Sequence, residues 1–188
     1  MQILFTHLWK DRDMKSIVRS SVVVLAIAGT SGAVNAQFSL SAGAFLPKDA
    51  KVRAIFGDST YAYGFGLGSI DRQNRRGVGF DFVGLSFNAP NNHFTTFGTT
   101  IGYEVQQELG DDLLGYARAG TGLGYFDYAI FSGGVPVESN RRFASISVAE
   151  AGLVLNRNLN LSAQYLFMPT FAGFDFTGIR VQLAFSFR

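Results

Sequence analysis

The last ten residues of the chain alternate between two kinds of side chain, and this pattern restricts what the chain can fold into. From Ile179 to Phe187 the odd-numbered positions are large and apolar, and the positions between them are polar, charged or small. Successive side chains of a β-strand point to opposite faces, so this segment predicts a strand with one apolar and one polar face. The apolar face must then be covered either by a second protein layer or by membrane lipid.

The N-terminal region has the order of features expected of a secretory signal peptide. Positively charged residues precede an apolar run at residues 22–28, and small residues then lead to Ala36. We predict that residues 1–36 are a signal peptide cleaved between Ala36 and Gln37, with Met14 as an alternative start. The apolar run is too short to span a bilayer as a helix, and a buried core helix is the other interpretation.

Removal of this segment changes the charge balance of the chain. The full sequence has 16 Lys and Arg against 14 Asp and Glu; four basic and two acidic residues precede residue 37, which leaves twelve of each. A formally neutral chain offers no basic surface for nucleic acid. Because the sequence has no cysteine, disulfides and thiolate metal sites are excluded. No apolar run is long enough for a membrane helix, so a membrane assignment must rest on strands.

Residues 37–188 show a period of two throughout, which predicts strands. Seven strands are predicted before the C-terminal one, at residues 37–45, 60–67, 78–87, 94–107, 113–128, 142–155 and 159–167. We expect a short helix at 49–57, a polar connection at 69–76, a long loop at 132–140 and another loop at 168–173. Strands of about ten residues, joined by alternating short and long connections, are typical of a membrane barrel. The predicted fold is all-β, an eight-stranded antiparallel up-and-down transmembrane β-barrel over residues 37–188.

Charged side chains on the predicted inner face suggest an internal network. These residues lie within the predicted strands: Asp81, Glu104, Arg118, Glu150 and Arg180. An eight-stranded barrel is just wide enough for side chains to fill it, and an unpaired buried ion costs several kcal/mol. We therefore predict a lumen ion-pair network, with an ion or proton pathway as the alternative. Placing Glu150 inward also places Ile146 and Val148 inward, unless a bulge changes the register.

A catalytic site is not indicated. Outside the predicted signal peptide, the chain has one histidine, His93, beside Asn91 and Asn92 in a predicted turn. A lipid-modifying hydrolase or acyltransferase needs a nucleophile and a base with an orienting carboxylate, and no such pattern surrounds His93. We interpret His93 as a solvated rim residue, and we predict no catalytic residue, no cofactor and no metal site.

Together with the alternating strands and the turn pattern, the closing Phe185-Ser186-Phe187 resembles the small eight-stranded outer-membrane barrels of the OmpA/OmpX kind. The resemblance implies that the last strand is the C-terminal assembly signal, although Arg188 displaces the terminal aromatic by one place. Its apolar positions are Ile179, Val181, Leu183, Phe185 and Phe187. The implied partners are outer-membrane lipid, the barrel-assembly machinery and periplasmic chaperones, and the implied location is the bacterial outer membrane.

Four functions are compatible with such a chain. The first is a non-enzymatic integral outer-membrane protein, which acts as an anchor whose surface loops bind a ligand or partner, or as a structural protein. The second is a narrow pore for small solutes, and the third is a lipid-modifying outer-membrane enzyme. The fourth is a soluble, lipocalin-like periplasmic barrel, which would require an apolar interior and a polar exterior, the reverse of the last two predicted strands.

Overall fold

Eight strands join edge to edge into a closed barrel. The computed structural model describes residues 36–71, 74–132, 135–156 and 158–187. Its elements are β1 (Ala36–Pro47), α1 (Ala50–Phe56), β2 (Thr60–Asp71), β3 (Arg76–Ala89), β4 (Asn92–Gly110), β5 (Leu113–Ser132), β6 (Val135–Leu155), β7 (Leu159–Phe167), β8 (Thr170–Phe171), β9 (Phe174–Asp175) and β10 (Gly178–Phe187). The order around the barrel is β1-β10-β7-β6-β5-β4-β3-β2, and each neighbouring pair is antiparallel. This confirms the predicted up-and-down barrel.

The alternation of the last strand is preserved in the structure. Along β10, buried and exposed residues alternate at every position. The outward side chains of the predicted assembly strand are all exposed: Ile179, Val181, Leu183, Phe185 and Phe187. Strand β10 pairs with β1 from Phe38↔Phe187 to Pro47↔Gly178 and thereby closes the sheet. The barrel therefore has an apolar outer surface, as a lipid-covered barrel requires.

On the outer surface, an aromatic side chain covers a glycine of the neighbouring strand. Tyr63 on β2 lies directly opposite Gly84 on β3, and a Cβ added to Gly84 would lie 2.5 Å from the Tyr63 ring. The ring thus lies over the gap that the missing side chain leaves in the sheet, an arrangement that stabilises glycine in strands. Gly84 is buried although it faces outward.

The two ends of the barrel differ. The terminus end carries Ala36 and Phe187 together with short turns, whereas the loop end carries α1 and the small hairpin formed by β8 and β9. In the described part of the chain, no helix combines the length and the apolar character needed to cross a membrane. Residues 1–35 of the predicted signal peptide lie outside the described residues, and its predicted cleavage site, between Ala36 and Gln37, lies at the start of β1.

The predicted long loop at residues 132–140 is wrong. Strands β5 and β6 continue past the expected ends and pair up to Ser132↔Val135, with one irregularity between Ile130 and Phe131. The part of β6 that precedes Ser147 in the chain pairs only with β5. Pro136 is compatible with this position because an edge strand does not need every N–H for pairing. The polar connection at 69–76 is likewise shorter than expected, since Asp71 pairs with Arg76.

The predicted helix in the first connection is confirmed as α1. Asp49 caps it by accepting a hydrogen bond of 2.8 Å from the backbone N–H of Lys51, and Gly57 ends it with a φ of 92°. Asp49 also accepts a hydrogen bond of 3.0 Å from the N–H of Asp175, which ties α1 to the β8–β9 hairpin. These hydrogen bonds, that from Asp175 above all, hold the pKa of Asp49 below its ordinary value of 3.8. Val52 of α1 is fully buried and packs into the barrel core.

Candidate functional site

The barrel interior is divided into two zones of opposite chemistry. The zone toward the loop end, here called the aromatic plug, is built from fully buried apolar side chains: Phe45, Val52, Leu85, Phe87, Phe94, Phe126, Tyr128, Ile130, Ile146, Leu166, Phe171 and Phe176. The zone toward the terminus end, here called the polar chamber, contains all five charged residues of the predicted network. The sequence analysis predicted the charged network and did not predict the aromatic plug.

Ring contacts hold the aromatic plug together across strands and loops. Phe94 of β4 stacks on Phe176, which follows the β8–β9 hairpin, with ring centroids 3.7 Å apart. Phe126 of β5 contacts Phe171 of that hairpin at 4.9 Å. Arg142 lies over the Phe171 ring at 4.1 Å, a cation–π geometry at the outer edge of the plug. The hairpin therefore closes the loop end by inserting its own rings among those of the strands.

The inward placement of Ile146 and Val148 follows from the register of β6. Ile146 and Val148 are 0% and 4% exposed, and Glu150, two residues further on, is also buried. The pairing of β6 with β5 is regular from Arg142 to Leu155, so no bulge changes the register there. The inward face of β6 thus contributes side chains first to the aromatic plug and then to the polar chamber.

In the polar chamber, Arg118 is the centre of the charged arrangement. Its guanidinium forms an ion pair with Asp81, and the two side chains are 7% and 21% exposed. In the sheet, Arg118 lies between Glu104 of β4 and Glu150 of β6. A Cβ added at Gly79 would lie 3.2 Å from the Arg118 guanidinium, so the glycine leaves the space that the guanidinium occupies.

Glu150 is surrounded by neutral donors rather than by an arginine. Its carboxylate accepts hydrogen bonds from Tyr116 Oη at 2.7 Å, from Gln164 Nε2 at 3.1 Å and from Gln182 Nε2 at 3.1 Å. Glu104 lies on the other side of Arg118 and accepts a hydrogen bond of 2.8 Å from Gln106 Nε2. A buried carboxylate needs such donors, because an unpaired charge in a protein interior costs several kcal/mol.

Arg180 is the deepest cation of the chamber and is 2% exposed. Its Nη2 donates a hydrogen bond of 2.7 Å to Ser41 Oγ, whereas its Nε has no partner among the described residues. No ion pair joins Arg180 to the described carboxylates within 4.0 Å. The structure therefore brings Arg118 and Asp81 into contact and leaves Arg180, Glu104 and Glu150 in the same chamber without a direct ion pair.

Sequence reasoning did not single out the neutral members of this site. Tyr116, Ser162, Gln164 and Gln182 line or support the Glu150 carboxylate, yet none belongs to a known motif. The available signal was their position. Tyr116 and Gln182 have the inward parity of Arg118 and Arg180 on their own strands, and Ser162 and Gln164 alternate with the outward apolar residues of β7. Gln164, for example, lies opposite both Glu150 and Arg180 in the sheet.

The rim at the loop end contains a second polar cluster. His93 Nε2 lies 3.4 Å from Asp127 Oδ1, and Arg141 Nε lies 3.0 Å from Asp127 Oδ2. In the described residues, no serine or threonine hydroxyl forms a hydrogen bond with His93, and no cluster of three His, Asp or Glu could hold a metal ion. Asp127 thus contacts a histidine and an arginine at the surface. The nearest described hydroxyl in the sheet is that of Thr95, which lies opposite Asp127 and shares a hydrogen bond with Ser86 rather than with His93.

Comparison with known proteins gives structural matches only. No protein-family model matches the chain, and neither does any curated protein sequence. The chain is similar in structure to Neisserial surface protein A (TM-score 0.61, 11% identity, covering 80% of this chain and 94% of that one). It is also similar to Ail, the attachment invasion locus protein and outer membrane protein of Yersinia pestis (TM-score 0.50, 16% identity, covering 80% and 95%). The chain has the fold of the small eight-stranded outer-membrane β-barrels.

Proposed function

We propose that the protein is an integral, non-enzymatic protein of the bacterial outer membrane whose closed barrel anchors a surface at its loop end. The signal peptide and its cleavage between Ala36 and Gln37 are part of this proposal, as is contact with outer-membrane lipid and the barrel-assembly machinery. The apolar outer face and the structural similarities support the membrane location.

The aromatic plug is the observation that carries the proposal. Twelve fully buried side chains belong to it, including Phe94 and Phe176, whose rings stack at 3.7 Å. Ions and polar solutes would have to leave water to pass such a zone, at a cost of several kcal/mol for an ion. The polar chamber reaches only part of the barrel length, so the proposed role is that of an anchor rather than a pore.

Planar-bilayer recording tests the closed interior. We expect the wild-type barrel to give no conductance steps, and we expect F94A/F176A, which removes the stacked ring pair, to give them. The matched control is F97A/F167A, because Phe97 and Phe167 are rings on the outer face, 38% and 50% exposed. Regular steps from the wild-type protein would overturn the anchor and favour the narrow pore.

Cysteine labelling on intact cells tests the orientation and the location. The chain has no cysteine of its own, so a single introduced thiol reports one position. Asp58 lies between α1 and β2 with its side chain 93% exposed, and Asp112 lies in the turn between β4 and β5 at the opposite end. We expect a membrane-impermeant maleimide to label D58C and not D112C until the outer membrane is opened. Equal labelling of both before opening would contradict the orientation.

Among the described residues, the His93–Asp127 contact is the feature that favours an enzyme. A histidine beside a carboxylate is part of hydrolytic sites, but such sites also need a nucleophile within hydrogen-bond reach. We expect H93A to leave the lipid A profile of producing cells identical to that of the wild type. A lost or altered lipid A species in H93A cells alone would replace the anchor with the lipid-modifying enzyme.

A further inference from the structure

We infer that the polar chamber binds one small zwitterionic amino acid of about the size of glycine. Its carboxylate binds to Arg180 and Ser41, and its ammonium group binds to the amide oxygens of Gln164 and Gln182. This inference is independent of the proposed anchor role, because the aromatic plug can close the loop end while the chamber takes up a ligand from the terminus end.

Arg180 offers an incomplete carboxylate site. It is 2% exposed, its Nη2 donates to Ser41 Oγ at 2.7 Å, and its Nε has no partner among the described residues. Nε and Nη2 lie on one edge of the guanidinium, and such an edge binds a carboxylate through two N–H groups. Ser41 lines the same cavity, and its hydroxyl, which accepts from Arg180, can still donate its own hydrogen.

Two unpartnered acceptors lie beside this cation. Gln164 Nε2 and Gln182 Nε2 donate to the two oxygens of the Glu150 carboxylate, each at 3.1 Å, so the two amides meet there. Gln164 lies directly opposite Arg180 in the sheet, and Gln182 follows Arg180 on the same face of β10. The Oε1 atoms of both amides are buried without a donor, which is costly unless a ligand or water supplies one.

The charges of the chamber select the class of ligand. Three carboxylates share the chamber with two guanidinium groups, so its formal charge is already minus one: Asp81, Glu104, Glu150, Arg118 and Arg180. A free anion on Arg180 would increase this excess, and a free cation would leave the Arg180 Nε without an acceptor. A zwitterion adds no net charge and supplies both an acceptor for Arg180 and donors for the two amide oxygens.

The chamber also has space and an entry route. Its cavity measures about 90 Å³, which equals about three water molecules of about 30 Å³ each, and a small amino acid displaces a similar volume. Gln37 and Gly68 line its far end, near the terminus end of the barrel. Arg118 also carries unpartnered N–H groups in the chamber, and water can reach them by the same route.

Glycine titration of the refolded barrel in maltoside micelles tests the inference, because the headgroup of this detergent carries no charge that would compete for the site. NMR follows the side-chain amides of Gln164 and Gln182 at constant pH and ionic strength. We expect saturable shifts with glycine. Acetate, which lacks the ammonium group, and methylammonium, which lacks the carboxylate, should bind about tenfold more weakly or worse, because each loses a charge-assisted hydrogen bond.

Matched variants locate the ligand. Gln182→Met keeps the length of the side chain and removes its amide oxygen, and Ser41→Ala removes the hydroxyl beside Arg180. We expect each substitution to weaken glycine binding by about tenfold. The control Gln106→Met should keep the binding, because Gln106 lines the chamber and its amide oxygen is not among the buried atoms that lack a partner.

Three results would overturn the inference. Amide shifts that stay linear in glycine concentration would mean that the chamber holds water alone. Acetate or methylammonium binding as tight as glycine binding would mean that the chamber recognises one charge rather than a zwitterion. Saturable glycine binding that is unchanged in both Gln182→Met and Ser41→Ala would place the ligand elsewhere. The wild-type titration decides the first two cases even if a variant fails to fold.

Discussion

The ion pair between Arg118 and Asp81 offers a quantitative test of how the barrel interior is stabilised. Arg118 is 7% exposed and Asp81 is 21% exposed, so Arg118→Met leaves a largely buried carboxylate without its cation. Removing one member of a buried ion pair costs about 3–5 kcal/mol. The chamber contains space for water, which solvates part of the remaining charge. We therefore expect a loss near the lower limit, about 3 kcal/mol in the free energy of unfolding.

A double-mutant cycle isolates the pair from its surroundings. Asp81→Asn alone should cost less than Arg118→Met, because Arg118 also lies between Glu104 and Glu150 in the sheet. The double variant should lose less free energy of unfolding than the sum of the losses in the two single variants. The difference should be about 1–3 kcal/mol, the usual coupling of interacting residues. As a control, Arg141→Met removes a cation whose side chain is 69% exposed, so its effect should be about 1 kcal/mol or less.

Urea titration of the barrel in phospholipid vesicles measures these values. The folded fraction can be followed by the gel mobility of unheated samples, and the dependence on urea should have the same slope in all variants. Additivity of the two substitutions within about 0.5 kcal/mol would refute the reasoning, because it would show that Arg118 and Asp81 stabilise the barrel independently.

Three further predictions concern other parts of the molecule. Arg180→Met should destabilise the barrel by about 2–3 kcal/mol in the same urea assay, because it leaves the negative charge of the chamber less compensated; an unchanged midpoint would argue against a role for this cation in the proposed network. Phe94→Ala should lower the free energy of unfolding by about 3–5 kcal/mol, because Phe94 is fully buried in the aromatic plug. Phe97→Ala, on the outer face, should lower it by less in the same titration. Equal losses in the two variants would contradict the packing of the plug. Because the pKa of Asp49 is lowered, its contribution to stability is present above about pH 3.8 and is lost as the pH falls through the lowered folded value. Exchange of the Asp175 amide hydrogen should therefore accelerate at that acidic pH in the wild type, while Asp49→Ala, which removes both acceptor oxygens, should show fast exchange already at neutral pH.

Much of this fold was predictable because a strand carries a local signal. The alternation at β10 and β7 fixes which side chains face outward, and the predicted bounds of β7, residues 159–167, agree with the structure. Predictions failed where the local signal was weak. Pro136 and Asn140 indicated a loop, yet β5 extends alongside them and forms a two-stranded ribbon beyond the barrel wall. Here the pairing of β6 with β5 outweighs the low intrinsic strand propensity of Pro136 and Asn140.

The candidate site was predictable in part for the same reason. Periodicity placed Asp81, Arg118 and Glu150 on the inner face, because inward parity is a property of each strand alone. The contact of Arg118 with Asp81 was not predictable, since the two residues lie on β5 and β3, which are separated by β4. Which inward side chains meet across a barrel depends on strand stagger and closure, and no local pattern encodes either.

The sequence by itself thus determined a barrel of alternating strands with an apolar outside and charged groups inside. Only the tertiary structure decided that the interior divides into an aromatic plug and a polar chamber. The rings of the plug come from four strands and from the segment around β8 and β9, which lie far apart in sequence, and α1 contributes Val52. Such a cluster exists only once the sheet has closed and the loop-end segments have folded back into its opening, because each ring is buried by residues from other elements.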